Sequence, residues 1–147
     1  MVKQIPRFEV RVYWEDTDAS GIVYHANYVR FLERARSQWA RSIGMDQHKM
    51  LTEQFRALVV ANLEIDFKRP ARLDDTLTIE THLTTLRAAS FVVEQRVLRE
   101  QAVLATARVR LGLVDTKSGH PVPFDQELIG LFKPYLNVEE TQNEFQC

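Results

Sequence analysis

The chain has 147 residues, 45% of them hydrophobic and 27% charged, with a net charge of −1. That length and balance predict one globular domain with a buried core, and they supply no global field for binding nucleic acid. A single cysteine, Cys147, excludes an internal disulfide framework and any multi-cysteine metal site.

Neither a secretory signal nor a long apolar run is visible, so a cytoplasmic location without a membrane span is expected. One domain over 1–147 is expected, with its core at about 6–135 and a flexible tail from about 136.

Phe8, Val10, Val12 and Trp14 alternate with polar neighbours and predict a half-buried strand. A carboxylate-rich turn follows, from Glu15 to Gly21. The period then changes. Tyr28, Phe31, Leu32, Ala35, Trp39 and Ile43 fall on one face of a helix of four to five turns, with Asn27 as a candidate cap and Gly44 as its stop.

After a polar connection with some helical character, four strands are predicted: 57–68, 76–86, 90–99 and 101–114. Short connections at Asp74-Asp75, Arg87-Ala88-Ala89 and Glu100-Gln101 predict antiparallel neighbours. Asp125 is placed to cap a last short helix through Phe132.

A single long helix with Phe31, Leu32 and Trp39 on one face needs a large apolar partner, and strands alone remain to supply it. The expected fold is therefore α+β, a five-stranded antiparallel sheet curled around one helix. Leu58, Val60, Val92, Leu98, Leu104 and Val114 fall on the opposite phase, and some of them are expected to meet a second copy.

The segment from Val12 to Tyr28, VYWEDTDASGIVYHANY, continues into FLERAR at 31–36. Together with FKRPARLDD at 67–75, RAASF at 87–91, Asp115 and Pro121-Val122-Pro123, it resembles the 4-hydroxybenzoyl-CoA thioesterase family and its YbgC-like acyl-CoA thioesterases. The likeness covers roughly residues 6 to 135. Trp14 stands where that family commonly carries another aromatic.

The resemblance implies a hotdog fold and a homodimer assembled into a homotetramer, with acyl-CoA as substrate. Coenzyme A is then part of the substrate, and no separate cofactor or metal is implied. Asp18 matches the catalytic aspartate, and the backbone N–H of His25 matches the oxyanion donor.

Chemically, a thiolate leaving group has a conjugate acid of pKa about 8–9, so a general acid is optional. What remains is a nucleophile or base, for which Asp18 serves, and stabilisation of the oxyanion at a helix N-terminus. Glu15 and Asp16 read as solvated turn charges. Tyr24 and Asn27 are candidate substrate contacts, while Arg69 and Arg87 are candidates for the phosphates of coenzyme A, with Lys68 and Arg72 beside them. An acyl carrier protein is a possible alternative carrier. Two other readings stand beside hydrolysis: a hotdog hydratase or dehydratase using His25, and a non-catalytic acyl-carrier binding module.

Overall fold

The computed structural model describes residues 4–138. Five strands form one antiparallel sheet: β1 (Arg7–Arg11), β2 (Arg56–Phe67), β3 (Thr76–Leu86), β4 (Ser90–Arg99) and β5 (Ala102–Asp115). Their order across the sheet is β1-β3-β4-β5-β2. Three helices accompany them: α1 (Asn27–Ser42), α2 (Gln47–Glu53) and α3 (Gln126–Phe132). The expected α+β architecture is what forms.

Helix α1 buries Tyr28, Phe31, Leu32, Ala35 and Trp39, the stripe read from the sequence, and adds Ala40. This face meets Leu77, Ile79, Val93, Val97 and Val109, all 1% exposed or less, in one core cluster. Burying each large side chain of that stripe contributes about 1.5–3 kcal/mol, so the helix and sheet stabilise each other. At the far end of α1, Trp39 joins Phe91, Phe132 and Tyr135 with ring centroids 5.6–6.4 Å from its own. Asp46 and Asp125 cap α2 and α3 by accepting the N–H of Lys49 and Leu128.

Several expectations change. Strand β1 stops at Arg11, and Trp14 lies in a short 3-10 turn, 75% exposed. The N-cap of α1 is Ala26, and Asn27 is the first helical residue. The Asp74-Asp75 connection does not join neighbours, because β2 pairs only with β5 and lies at the far edge from β3. Residues 68–75 cross the end of the sheet instead.

The opposite-phase residues also divide. Leu104, Val92 and Leu98 are buried within the single chain, whereas Val60 remains 48% exposed. Irregular register explains the difference. Val97 pairs with Ala105 and Leu98 with Val103, so Leu104 is an extra residue that turns into the core.

Leu136 bridges to Leu83, and Asn137 donates its N–H to the Leu83 carbonyl, so the first residues of the expected tail are held. The rest of that tail, 139–147 with Cys147, lies outside the described residues.

Candidate functional site

The segment between β1 and α1 is a folded loop closed at several levels. Asp18 donates its N–H to the Ile22 carbonyl, Gly21 donates to the Asp18 carbonyl, and Thr17 bridges to Val23. Gly21 has φ +82°, a backbone conformation open to glycine at little cost.

Asp16 organises the base of the loop. It is 9% exposed, which corrects its reading as a solvated turn charge. Its carboxylate accepts the Tyr13 N–H at 2.9 Å. Its carbonyl accepts the Tyr24 N–H at 3.0 Å and the Asn27 side-chain amide at 2.9 Å. Asn27 thus ties the start of α1 to the loop in place of capping the helix.

The crossover 68–75 forms the floor. Val23 donates to the Ala71 carbonyl, and Ala71 donates to the Tyr28 hydroxyl at 3.1 Å. Ile22 bridges to Arg72. The displaced carbonyl of Leu104 accepts the N–H groups of both Lys68 and Arg69, and Arg99 reaches the Pro70 carbonyl and the Asp75 carboxylate. Lys68, Arg69 and Arg72 are exposed, and their side chains form no ion pair among the described residues.

Above this floor, α1 begins with a tight turn. Asn27, Tyr28 and Val29 donate three residues back, to Tyr24, His25 and Ala26. The N–H groups of His25 and Ala26 have no acceptor among the described residues. These are the donors that a helix N-terminus leaves for an anion or a polarised carbonyl.

The Asp18 side chain stands on the open surface of the single chain and accepts the N–H (2.8 Å) and the hydroxyl of Ser20. The Ser20 hydroxyl, then the Ser20 N–H, hold its carboxyl below the usual aspartate value. It is therefore fully ionised near neutrality.

Five of the six expected site residues converge here: Asp18, Tyr24, His25, Asn27 and Arg69. Arg87 does not. It closes the β3–β4 turn by donating its N–H to Ser90, at the end of the sheet opposite the crossover. Phe67 escaped the sequence reading. It packs edge-on against His25 and Tyr28, with centroids at 6.2 and 5.3 Å, and stays 52% exposed. Its place at the end of β2, just before the cationic crossover, was the available signal.

A family model described as the thioesterase-like superfamily matches residues 12–132. The chain belongs to that superfamily. Among its relatives, the acyl-CoA thioesterase YbgC of Haemophilus influenzae is 43% identical over 125 residues, covering 85% of this chain and 92% of that one. The acyl-CoA thioester hydrolase YbgC of Escherichia coli O6:H1 is 41% identical over 128 residues, covering 86% and 95%.

A crystal structure of a probable thioesterase from Bartonella henselae superposes with a TM-score of 0.78 at 38% identity, covering 83% of this chain and all of that one. The superfamily's matched span contains every site residue above and both edges of the crossover. Among the described residues, no cluster of three or more metal-ligating side chains is present, and no helix is long and apolar enough to cross a membrane.

Proposed function

We propose that this thioester hydrolase cleaves acyl-CoA, with Asp18 as the reacting carboxylate and the His25 N–H as oxyanion donor. The observation that carries this reading is the pair of unpartnered N–H groups at His25 and Ala26, in the same clamped loop as an ionised aspartate.

Two routes balance. In one, Asp18 takes a proton from water as the water oxygen attacks the thioester carbon, and the tetrahedral intermediate expels coenzyme A thiolate. In the other, an Asp18 oxygen attacks, the C–S bond breaks, and water then hydrolyses the mixed anhydride. In both, negative charge builds on the former carbonyl oxygen, where one well-placed donor contributes about 3–4 kcal/mol. The low pKa of Asp18 weakens it as a base and keeps it wholly in the form that attacks, which favours the second route.

The exposed cations Lys68, Arg69 and Arg72 are bonded through their crossover to the Asp18 loop, in reach of the phosphates of coenzyme A. Arg87 fits as a contribution from a second copy. Strand β2 is a sheet edge with Val59, Val60 and Phe67 exposed. A second copy laid antiparallel along that edge brings its β3–β4 turn to the Asp18 end and covers Asp18. We take this homodimer as the working unit, pairing further into a tetramer.

Release of free thiol from a panel of acyl-CoAs by the purified chain tests the reading. Asp18→Asn is expected to lower kcat/KM by at least ~100-fold. Release unchanged in that variant overturns the mechanism, and altered acyl chains without thiol release favour a hydratase. Single-turnover hydrolysis in heavy-oxygen water separates the routes, because label enters Asp18 only through the anhydride.

A further inference from the structure

A groove of about 290 Å³ runs beside α1 from Val29, one turn into the helix, toward Ala40. Leu58, Val60, Phe91 and Leu111 form its apolar side. Its volume holds about ten non-hydrogen atoms at ~30 Å³ each. A plain hydrocarbon pocket would match the chemistry of that side, yet the helix side is different.

Arg36 lines the groove and is partly buried. It donates to the Gln95 side-chain carbonyl at 3.0 Å, and Gln95, 1% exposed, donates to the Leu32 carbonyl and the Thr81 hydroxyl. Gln95 is thereby fixed with its oxygen toward the guanidinium. The remaining guanidinium N–H groups have no acceptor among the described residues. Trp39, on the same groove and 4% exposed, also carries an indole N–H without an acceptor. Buried donors of this kind are strongly disfavoured unless something accepts from them. Glu33, one turn from Arg36 and lining the same groove, supplies an acceptor.

We propose that the α1 groove receives the acyl group of the substrate and selects acyl chains bearing a hydroxyl near their far end. The hydroxyl oxygen accepts from Arg36 and its proton is donated to Glu33. A methyl terminus leaves the donors unanswered, and a carboxylate meets the charge of Glu33. The shared position of Gln95 sets Arg36 at the level of Leu32, six residues past Ala26, or roughly 9 Å along the axis at 1.5 Å per residue. With the groove volume, this fits an acyl chain of about eight carbons. The inference rests on the thioesterase reading and adds the acyl chemistry.

The test compares kcat/KM for octanoyl-, 8-hydroxyoctanoyl- and suberoyl-CoA by thiol release. The hydroxylated ester is expected to exceed the other two by at least ~10-fold, as for a site built to bond a hydroxyl. Arg36→Met collapses the hydroxyoctanoyl-to-octanoyl ratio toward one, Arg36→Lys keeps part of it, and Glu33→Gln raises suberoyl relative to hydroxyoctanoyl. Thermal melts confirm that each variant is folded, and the ratios are read only within folded variants.

Wild-type ratios within about twofold overturn the proposal, and so does a ratio untouched by Arg36→Met. An unchanged ratio together with loss of the dimer in that variant assigns the groove to a second copy. Hydrolysis of octanoyl-CoA without preference sinks only this inference, whereas no release from any acyl-CoA removes the hydrolase reading beneath it.

Discussion

The Asn27 side-chain amide donates to the carbonyl of Asp16 at 2.9 Å, joining the first residue of α1 to a loop residue eleven positions earlier. The same carbonyl accepts the Tyr24 N–H. The helix start and the Asp18 loop are therefore one unit. Asn27→Ala removes one of two donors to a partly buried carbonyl, a loss of about 1 kcal/mol of stability. Its effect on kcat is expected to be larger than stability alone implies, with KM changed less. Asn27→Asp, which lacks the donor, is expected to behave like alanine. Equal wild-type kcat in both variants counts against this positioning role.

Tyr28 gives a stability prediction at the same corner. Its hydroxyl accepts the N–H of Ala71, which is fully buried. Tyr28→Phe keeps the ring contacts with Phe31 and Phe67 and leaves that N–H without an acceptor. The expected loss is about 1–3 kcal/mol in chemical denaturation. A variant as stable as the parent means the crossover finds another acceptor.

The acid limb of kcat/KM tests Asp18. Bonds from Ser20 lower its pKa from the ordinary 3.8, so activity is expected to persist below that pH before protonation removes it. Ser20→Ala takes away the largest of those bonds and moves the limb upward. A limb unmoved by Ser20→Ala, or one near neutrality, means another group controls the step.

Glu80 predicts how stability depends on pH. This carboxylate is 4% exposed on β3, where burial alone would raise its pKa. Hydrogen bonds from His82 and Arg96, with the charges of Arg96 and Arg7, outweigh burial and bring it from 4.5 down to about 2. Because the folded value lies below the unfolded one, the stabilisation is fully present above about pH 4.5. It is lost as pH falls through about 2. Glu80→Gln is expected to destabilise by about 3 kcal/mol at neutral pH, as when one partner of a buried ion pair is removed. The difference from wild type narrows across that acidic window, and a difference independent of pH contradicts it.

The crossover cations make a kinetic prediction. Replacing Lys68, Arg69 and Arg72 together with glutamine is expected to raise KM for acyl-CoA while kcat changes little, and to flatten the dependence of KM on salt. The same variant assayed with an acyl-pantetheine thioester, which lacks the nucleotide phosphates, is expected to match wild type. A KM shift of equal size for both esters refers the effect to folding of the loop.

Much of this was legible in the residues. The Tyr28–Trp39 stripe specified α1 and its buried face because helical spacing leaves one solution for so many large apolar groups. The site motif placed five residues together because they are close in sequence and one loop carries most of them. Arg87 and Arg69 look alike as charges at strand ends, and only strand order separates them. That order was hidden because the 68–75 connection is long enough either to turn or to cross. Asp16 reads as a surface charge until the backbone bonds that enclose it are known. Leu104 sits on the wrong phase for the core until the extra residue in β5 is seen, since alternation assumes an unbroken register.

The inward turn of Leu104 has a mechanical corollary. One peptide unit joins a wholly enclosed leucine to the amides that aim Lys68 and Arg69. Repacking the interior at this point re-aims surface charge several residues away, so the grip on a polyanion can drift while every solvent-facing residue stays the same.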